Sequence, residues 1–398
     1  MLLAVSGRAE ELEPLPSPLR LEDARRLARE HRSEIAAARA RAAAASHRPA
    51  IVSGLDDPEI APAVNHLPFS LQGANVSLTF EQRFPLSHVL GHRGEAAQAE
   101  ARRYGADQQR VELDVELEAA NALVALNEKR AVGEVIAGQV ALAKQLVASA
   151  TARYSAGSGA QADVLRAESE LARLEATSRA LQAELRAAEA TVLVSLGRPT
   201  GATVPPIALP VRAEAPPELS AVVQQSLDAR PELKAGHAEV DRAEAAGRAA
   251  RSEDAPMAMV RTGPAYTMVD GPGWMVMVGV TLPIWREKRN AAVAEADAMG
   301  ESARADLSAM QRAVEGDAAR AREQVAAARE RYLALRDEVV PRAQKAIQPT
   351  LAAYVSGQLP LVSVIETAEA FWAAQAEQVS AEGELALAWA RLDRAIGR

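Results

Sequence analysis

Tyr154-Ser-Ala-Gly157 recurs two hundred residues later as Tyr354-Val-Ser-Gly357, and Leu196-Gly197-Arg198 recurs at the same offset as Ile396-Gly397-Arg398. Residues 154–198 and 354–398 align without a gap and share ten identities. Chance matches are common between alanine-rich helices, but here the glycines and the tyrosine also stay in register. The repeat therefore predicts a duplicated chain, in which both halves carry the same long-helix unit.

The composition favours long helices packed side by side. The 398 residues are 48% hydrophobic but only 3% aromatic, and alanine supplies much of the apolar content. Small alanine faces bury little area, so stability must come from helix length or from neighbouring subunits. The absence of cysteine excludes disulfides and thiolate metal sites. The net charge of -8 gives no reason to expect a nucleic-acid partner.

Each half is predicted to contain one helix and one very long helical hairpin. In the first half, a helix runs from Leu21 to about residue 46 and is stopped by Pro49. A second helix over 93–153 turns at Gly157 and returns to Gly197. The equivalent segments of the second half are 219–251, 286–353 and the return to Gly397. No run of 18 apolar residues exists, so no transmembrane helix is expected.

Short strands are predicted between these helices. Over residues 73–84 apolar and polar side chains alternate, which is typical of a strand with two different faces. Val76, Leu78 and Phe80 share the apolar face, and Asn75, Ser77 and Thr79 share the polar face. Segments 257–269 and 274–283 form a hairpin around residues 270–273. The fourth strand is expected only loosely, within residues 50–70.

Four strands are too few to close a barrel or to bury a sheet. Three copies of the chain would supply twelve strands, with the helical rods beneath them. The predicted fold class is therefore mostly α with a small β part: duplicated long-helix hairpins and four strands per chain, assembled into a trimeric α/β-barrel.

The order of these features, twice over, resembles the TolC-type outer-membrane efflux proteins. The resemblance covers about residues 19–398. It rests on the helix start at 19–30, the strand exit Gln82-Arg83-Phe84-Pro85 and the two Tyr-x-x-Gly turns. Leu55-Asp56-Asp57-Pro58 is similar to the heavy-metal branch of that family, the CzcC-like and CusC-like channels.

The resemblance implies a homotrimer in the outer membrane of a Gram-negative bacterium, with a 12-stranded β-barrel on an α-helical tunnel through the periplasm. The apolar strand faces would then contact lipid, and Tyr266 and Trp274 would lie at the membrane interface. Such channels work with a periplasmic adaptor (membrane fusion protein) and an inner-membrane RND pump, and they need no cofactor.

The resemblance also divides the chain. Residues 1–18 are predicted to be a leader, the remnant of a signal peptide. The first efflux repeat is expected at 19–197 and the second at 219–398. Residues 198–218 carry six prolines and are predicted to link them.

The resemblance places a gate at the helical turns. In relatives a tyrosine of the second turn bonds an aspartate beyond the first, and these positions are Tyr354 and Asp163. The alternative is that Asp163 caps the returning helix. A family arginine that adds a second link is Leu359 in this chain, which weakens the predicted latch. Acidic positions of the narrowest ring are Ser363 and Glu366, of which only Glu366 is charged; a solvated helical face is the alternative.

The turns themselves are expected to contact the adaptor. The residues predicted there are Gly157, Ser158, Gly159, Gly357 and Gln358. On the residues alone they are two helical-hairpin turns, because glycine permits the left-handed backbone of a helix end.

Methionine is concentrated in the second hairpin of strands, at 257, 259, 268, 275 and 277. Thioethers bind soft Cu(I), and Met257, Met259, Met275 and Met277 share the polar face. Adaptable packing is the alternative, and no dedicated metal site is predicted.

No catalytic triad, phosphate loop or carboxylate pair exists, so an enzyme is not expected. The predicted function is the outer-membrane channel of a tripartite efflux system, with heavy-metal cations as substrate. The alternatives are the exit duct of a type I protein-secretion or drug-efflux system, and a soluble coiled-coil scaffold.

Overall fold

The computed structural model describes residues 14–66, 75–209, 211–267 and 269–398. The helices are α1 (Leu21–His31), α2 (Ser33–Ser53), α3 (Val89–Ser155), α4 (Gln161–Ser195), α5 (Leu219–Ala229), α6 (Pro231–Ser252), α7 (Arg286–Ala334), α8 (Val340–Val355) and α9 (Leu361–Ala395). The strands are β1 (Leu19–Arg20), β2 (Glu59–His66), β3 (Asn75–Pro85), β4 (Ile207–Ala208), β5 (Met257–Thr267) and β6 (Gly271–Thr281). Most of the predicted leader and the start of the predicted strand at 73–84 lie outside the described residues.

The first predicted helix is wrong at both its middle and its end. Arg32 has an extended backbone (φ -77°, ψ 125°) and separates α1 from α2. Its guanidinium donates to Glu34 at 2.8 Å and to Glu118 at 3.1 Å, and the hydrogen bond from Arg32 lowers the pKa of Glu34 to about 2. The helix then continues past Pro49 to Ser53. A proline inside a helix removes one backbone hydrogen bond, and the rest of the helix tolerates that loss.

The same break occurs in the second half. Arg230 is extended (φ -62°, ψ 127°) between α5 and α6. The glycines at the ends of the return helices abut these breaks: a side chain at Gly197 would lie 2.8 Å from the carbonyl oxygen of His31, and one at Gly397 would lie 3.0 Å from Ala229. Gly197 and Gly397 therefore serve two purposes. Their positive φ forms the turn, and their lack of a side chain lets two helix ends pack closely.

The two long helices are not equivalent. α3 is uninterrupted over 67 residues. The predicted rod at 286–353 is instead broken by a π-helical turn at Leu335–Val339, which ends two residues before Pro341. Such turns insert one extra residue into the helical ladder. An 18-residue window of α3 has a mean hydropathy of 1.3 and is 17% buried, which is apolar enough to cross a membrane by composition alone. Packed helices pass the same test, so the window assigns no span.

The four longer strands form one antiparallel sheet in the order β2-β3-β5-β6. The hairpin is longer than predicted: β6 begins at Gly271 rather than at residue 274, because Gly271 has positive φ (74°) and Tyr266 already pairs with Pro272. The loosely placed strand is β2, which contains Pro62. Proline lacks a backbone donor, and β2 is an edge strand where one missing donor is tolerated.

The described residues divide into two compact units, each with segments from both halves of the chain. The first unit comprises residues up to Ile35 together with 111–229 and 314–398. Its apolar cores lie between helices, around Leu123, Leu193 and Leu196 in one cluster and around Leu385, Trp389 and Leu392 in another. The second unit comprises residues 36–110 and 230–313 and contains the sheet.

Candidate functional site: the exposed sheet and the paired helical turns

One face of the sheet is apolar and exposed. Alternate residues of the strands point to this face, as the period of two requires. Their exposed fractions range from 43% to 70%, which is unusual for side chains of this size. They are Ile60, Val64, Val76, Leu78, Phe80, Tyr266, Trp274, Val276, Val278 and Val280.

The aromatic side chains of this face lie near the β5–β6 turn. Tyr266 pairs with Pro272, and Trp274 pairs with Pro264 two positions along the hairpin. The Trp274 Nε1 donates to the Thr262 hydroxyl at 2.7 Å. Both rings therefore lie at one end of the apolar face, where a polar group of the ring can remain hydrated.

The opposite face is polar and is buried at its centre. Ser77, Thr79 and Glu81 are only 5–7% exposed. The Glu81 carboxylate accepts hydrogen bonds from the guanidinium of Arg261 on β5 and from Arg83 at 3.0 Å. This charged network joins β3 to β5 and makes the two faces chemically distinct.

The four candidate methionines share this polar face. Met257 pairs with Thr281 and Met259 with Gly279, while Met275 and Met277 lie opposite Gly263 and Arg261. The Met259 side chain covers Gly279, because a side chain there would lie 2.8 Å from the Met259 methyl group. Met268 lies outside the described residues. Within the described ranges, no group of three or more His, Cys, Asp or Glu is arranged to hold a metal ion.

The two helical turns have the same backbone. Gly157 and Gly357 have φ of 72° and 80°. Ser158 N donates to Arg153 O at 2.9 Å and Gly157 N to Tyr154 O at 3.0 Å. Gln358 and Gly357 make the equivalent bonds to Ala353 and Tyr354. These are the paired bonds of a Schellman motif, which satisfies the free carbonyls at a helix end. Gly159 completes the first turn close to Arg153.

Tyr354 is buried rather than displayed at the turn. It is 2% exposed and packs in an apolar cluster with Leu146, Ala167, Leu361 and Val364. Burial raises the pKa of its hydroxyl; the Arg153 guanidinium opposes this shift, and the nearby Asp163 carboxylate adds to it. Tyr354 and Asp163 are thus close, but no hydrogen bond joins their side chains in this part of the described chain. The latch between them stays a prediction for the assembled protein.

Asp163 is not the cap of the return helix. The N-cap of α4 is Ala160, which makes no side-chain cap bond, and Asp163 lies in the first turn. A carboxylate there favours the helix through the macrodipole. On α9, Ser363 is half-buried and its carbonyl accepts from the Thr367 hydroxyl at 2.7 Å, while Glu366 is exposed.

Sequence reasoning missed Arg153. Its guanidinium donates to the carbonyl oxygens of Tyr354 and Val355 in the second turn, and to Ser158 of its own turn at 3.3 Å. The signal was available, because Arg153 precedes Tyr154 while Ala353 precedes Tyr354. The residue before the repeated tyrosine therefore differs in chemistry between the two turns.

Residues 222–398 match the family model described as outer membrane efflux protein. The match makes the second half of the chain similar to outer membrane efflux proteins. The matched model describes efflux proteins of the outer membrane, which agrees with the predicted location and with the prediction that the protein is not an enzyme.

Solved structures of outer-membrane channels share the fold. The outer-membrane channel OprN is 19% identical with a TM-score of 0.83, over 95% of this chain and 89% of that one. VceC from Vibrio cholerae is 16% identical with a TM-score of 0.80, over 95% and 96%. CusC is 14% identical with a TM-score of 0.82, over 95% and 92%. No curated protein sequence gives a significant match. The mostly helical fold with a small sheet is therefore confirmed for this chain.

Proposed function

We propose that the chain is one protomer of a homotrimeric channel that conducts exported substrate passively across the outer membrane. The observation that carries the proposal is the sheet that the described residues form: it has four strands, one exposed apolar face and two edges with no partner strand among those residues. The family match and the fold of the similar channels support the same function.

The apolar face is too large for a soluble scaffold. Full burial of one large apolar side chain contributes about 1.5–3 kcal/mol. Ten such side chains remain roughly half exposed, which forgoes on the order of 10 kcal/mol. That is comparable to the whole net stability of a typical domain, about 5–15 kcal/mol. Lipid would cover this face, and the polar face would line a water-filled pore.

The edges favour closure by sister chains. Strands β2 and β6 each have one neighbour, so their outer backbone groups need further partners in a membrane. Three copies would supply twelve strands, and β2 of one copy would pair with β6 of the next. Closure would leave no edge.

The partners follow from the family resemblance. We infer a periplasmic adaptor and an inner-membrane RND pump, with the adaptor contacting the turns at Gly157–Gly159 and Gly357–Gln358. The paired Schellman turns support this, because they expose short polar backbone loops at one end of each helical hairpin. Substitution of Ser158 and Gln358 by aspartate is expected to abolish adaptor cross-linking without loss of the channel.

For the substrate we propose soft metal cations. The support is the line of methionines on the polar face, since thioethers are ligands for Cu(I) and Ag(I). Cells that depend on this channel should lose copper and silver tolerance when Met257, Met259, Met275 and Met277 are replaced by leucine. Loss of drug tolerance or protein secretion instead would favour the two alternative export functions.

The channel itself is tested by fractionation and electrophysiology. Full-length protein expressed from its own reading frame is expected in the outer membrane, and the detergent-purified form is expected to be a trimer. In planar bilayers it should give single-channel currents. A monomeric cytosolic protein with no current in bilayers would refute the proposal.

A further inference from the structure

We propose that Arg153 ties the two helical hairpins together at their turns, and that release of this tie lets the second turn separate from the first. The inference rests on the proposed channel, because the turns matter for conduction only if the helices form its tunnel. All the residues involved belong to one compact unit of the described chain.

Arg153 adds donors at the C-terminal end of α8, where the carbonyl oxygen of Tyr354 already accepts from Gly357 N at 3.0 Å. The last carbonyl groups of a helix have no partner within the helix, and the negative end of the helix dipole attracts a cation. Arg153 Nη1 donates to the carbonyl oxygen of Tyr354 and, at 3.5 Å, to that of Val355. Its Nη2 donates to Ser158 O at 3.3 Å. One guanidinium thus serves both turns.

The aromatic ring of Tyr354 holds the guanidinium in place. The Arg153 Cζ lies 4.9 Å from the ring centroid, within the range of a cation–π contact. A side chain at Gly357 would lie 3.5 Å from Arg153 Nη2, so the glycine leaves room for the arginine. Because Tyr354 is itself buried, the tie rests on a packed surface rather than on a mobile loop.

Among the described residues, the tie is the polar link between the hairpins that lies nearest their turns. The next one is Arg173 of α4 with Glu369 of α9 at 3.4 Å, and its two side chains are about half exposed. An exposed pair of this kind contributes little. The apolar cluster around Leu146 and Leu361 holds the helices behind the turns. Removal of Arg153 should therefore free the turns and leave the helices packed.

Comparison of the two halves shows that the tie runs from the first hairpin to the second. The position equivalent to Arg153 in the second half is Ala353, which has no donor. Only the first hairpin can therefore hold the second in this way. The π-helical turn at Leu335–Val339 and Pro341 lie on the hairpin that is held, and α3 on the holding side is unbroken.

Distances between spin labels test the tie directly. The chain has no cysteine, so Ser155→Cys and Ser356→Cys place one label on each turn at exposed positions. In the detergent-purified full-length protein we expect a single narrow distance distribution. Arg153→Ala should raise the population with longer distances about tenfold, the effect of losing one charge-assisted hydrogen bond. Arg153→Lys should be intermediate, because lysine lacks the fork that reaches both turns.

Arg166→Ala is the matched control. Arg166 is an exposed arginine of α4 with no ion pair or hydrogen bond from its side chain among the described residues. Its removal should leave the distances unchanged. Equal distance distributions for the parent protein and Arg153→Ala would overturn the inference, whatever the channel does.

Measurements of single-channel conductance distinguish a failure of this inference from a failure of the proposed function. Arg153→Ala is expected to raise single-channel conductance, and Arg166→Ala is not. If the turns separate but no variant conducts, the tie stands and the channel is refuted. If the parent protein conducts and Arg153→Ala changes neither distance nor current, the channel stands and the tie is refuted.

Discussion

Glu382 on α9 is a partly buried carboxyl group, and its pKa shows the effect of burial without a bonding partner. Burial raises the pKa of its carboxyl group, and no described side chain bonds to it. Its neighbour Glu384 is exposed and accepts a hydrogen bond from Arg331 at 2.9 Å. The buried Glu382 carboxylate therefore opposes folding when it is ionised.

Glu382→Gln is expected to stabilise the protein at neutral pH. Because the folded-state pKa is raised, the native protein is favoured while Glu382 is protonated, and that stability is lost as pH rises through the folded pKa. The variant should melt at a higher temperature than the parent at pH 7, and the difference should vanish near pH 4, about the ordinary pKa of glutamate. Glu384→Gln should give no gain at either pH, and an equal gain from both variants would contradict the argument.

The repeated glycines give a second test at this scale. Gly157 and Gly197 both have positive φ, but only Gly197 lies against the backbone of another helix end. Gly157→Ala should cost about 1 kcal/mol of unfolding free energy from backbone strain. Gly197→Ala should cost about 1–3 kcal/mol more, because its methyl group meets His31. Denaturant unfolding of both variants measures these losses of unfolding free energy. Equal losses would show that backbone strain in the turn alone accounts for the cost of replacing Gly197.

At the scale of elements, the sheet owes its properties to two faces with a period of two. Gly263 shows how tightly β3 and β5 approach, because a side chain there would lie 1.9 Å from the carbonyl oxygen of Leu78. The register of β3 and β5 is the same on both sides of this point, at the pairs Ser77–Ala265 and Phe80–Thr262. The alternation visible in the sequence predicted which residues share a face. It did not predict this close approach, which depends on the neighbouring strand.

Val276→Arg and Met275→Arg test the two faces at adjacent positions. Val276 lies in the middle of the apolar face, where lipid would make an arginine cost about 2–4 kcal/mol. Met275 lies on the polar face opposite Gly263, where water and space are expected. Val276→Arg should reduce the yield of folded trimer in the outer membrane, and Met275→Arg should not. Equal yields would argue against lipid on the apolar face.

The helices show where local patterns mislead. From the sequence we expected the helix to end at Pro49 and saw no sign of a break at Arg32. In the structure the helix continues through Pro49, and the break is at Arg32. The break is decided by contacts from other segments, since Arg32 also bonds Glu118 and the carbonyl oxygen of Ser195. The π-helical turn before Pro341 has the same origin, because packing rather than local preference decides where a long helix is interrupted.

At the scale of the whole molecule, closure of the sheet sets the number of copies. Ile60 lies on edge strand β2 and Val278 on edge strand β6, both on the apolar face. A variant with Ile60→Cys and Val278→Cys, treated with a short thiol cross-linker in membranes, should give covalent dimers and trimers and nothing larger. Each single variant should remain monomeric in denaturing gels. A ladder beyond three chains would mean that the edges pair without closing.

The sequence by itself determined the duplication, the glycine turns and the two-faced strands, because these depend on local backbone preference and on a period that neighbouring residues carry. It also predicted the resemblance to outer membrane efflux proteins, whose family model matches residues 222–398. Only the tertiary structure decided where the helices break, that Tyr354 is buried, and that Arg153 bonds the opposite turn. Those features join residues up to two hundred positions apart, and such contacts form only once the helices have packed against each other.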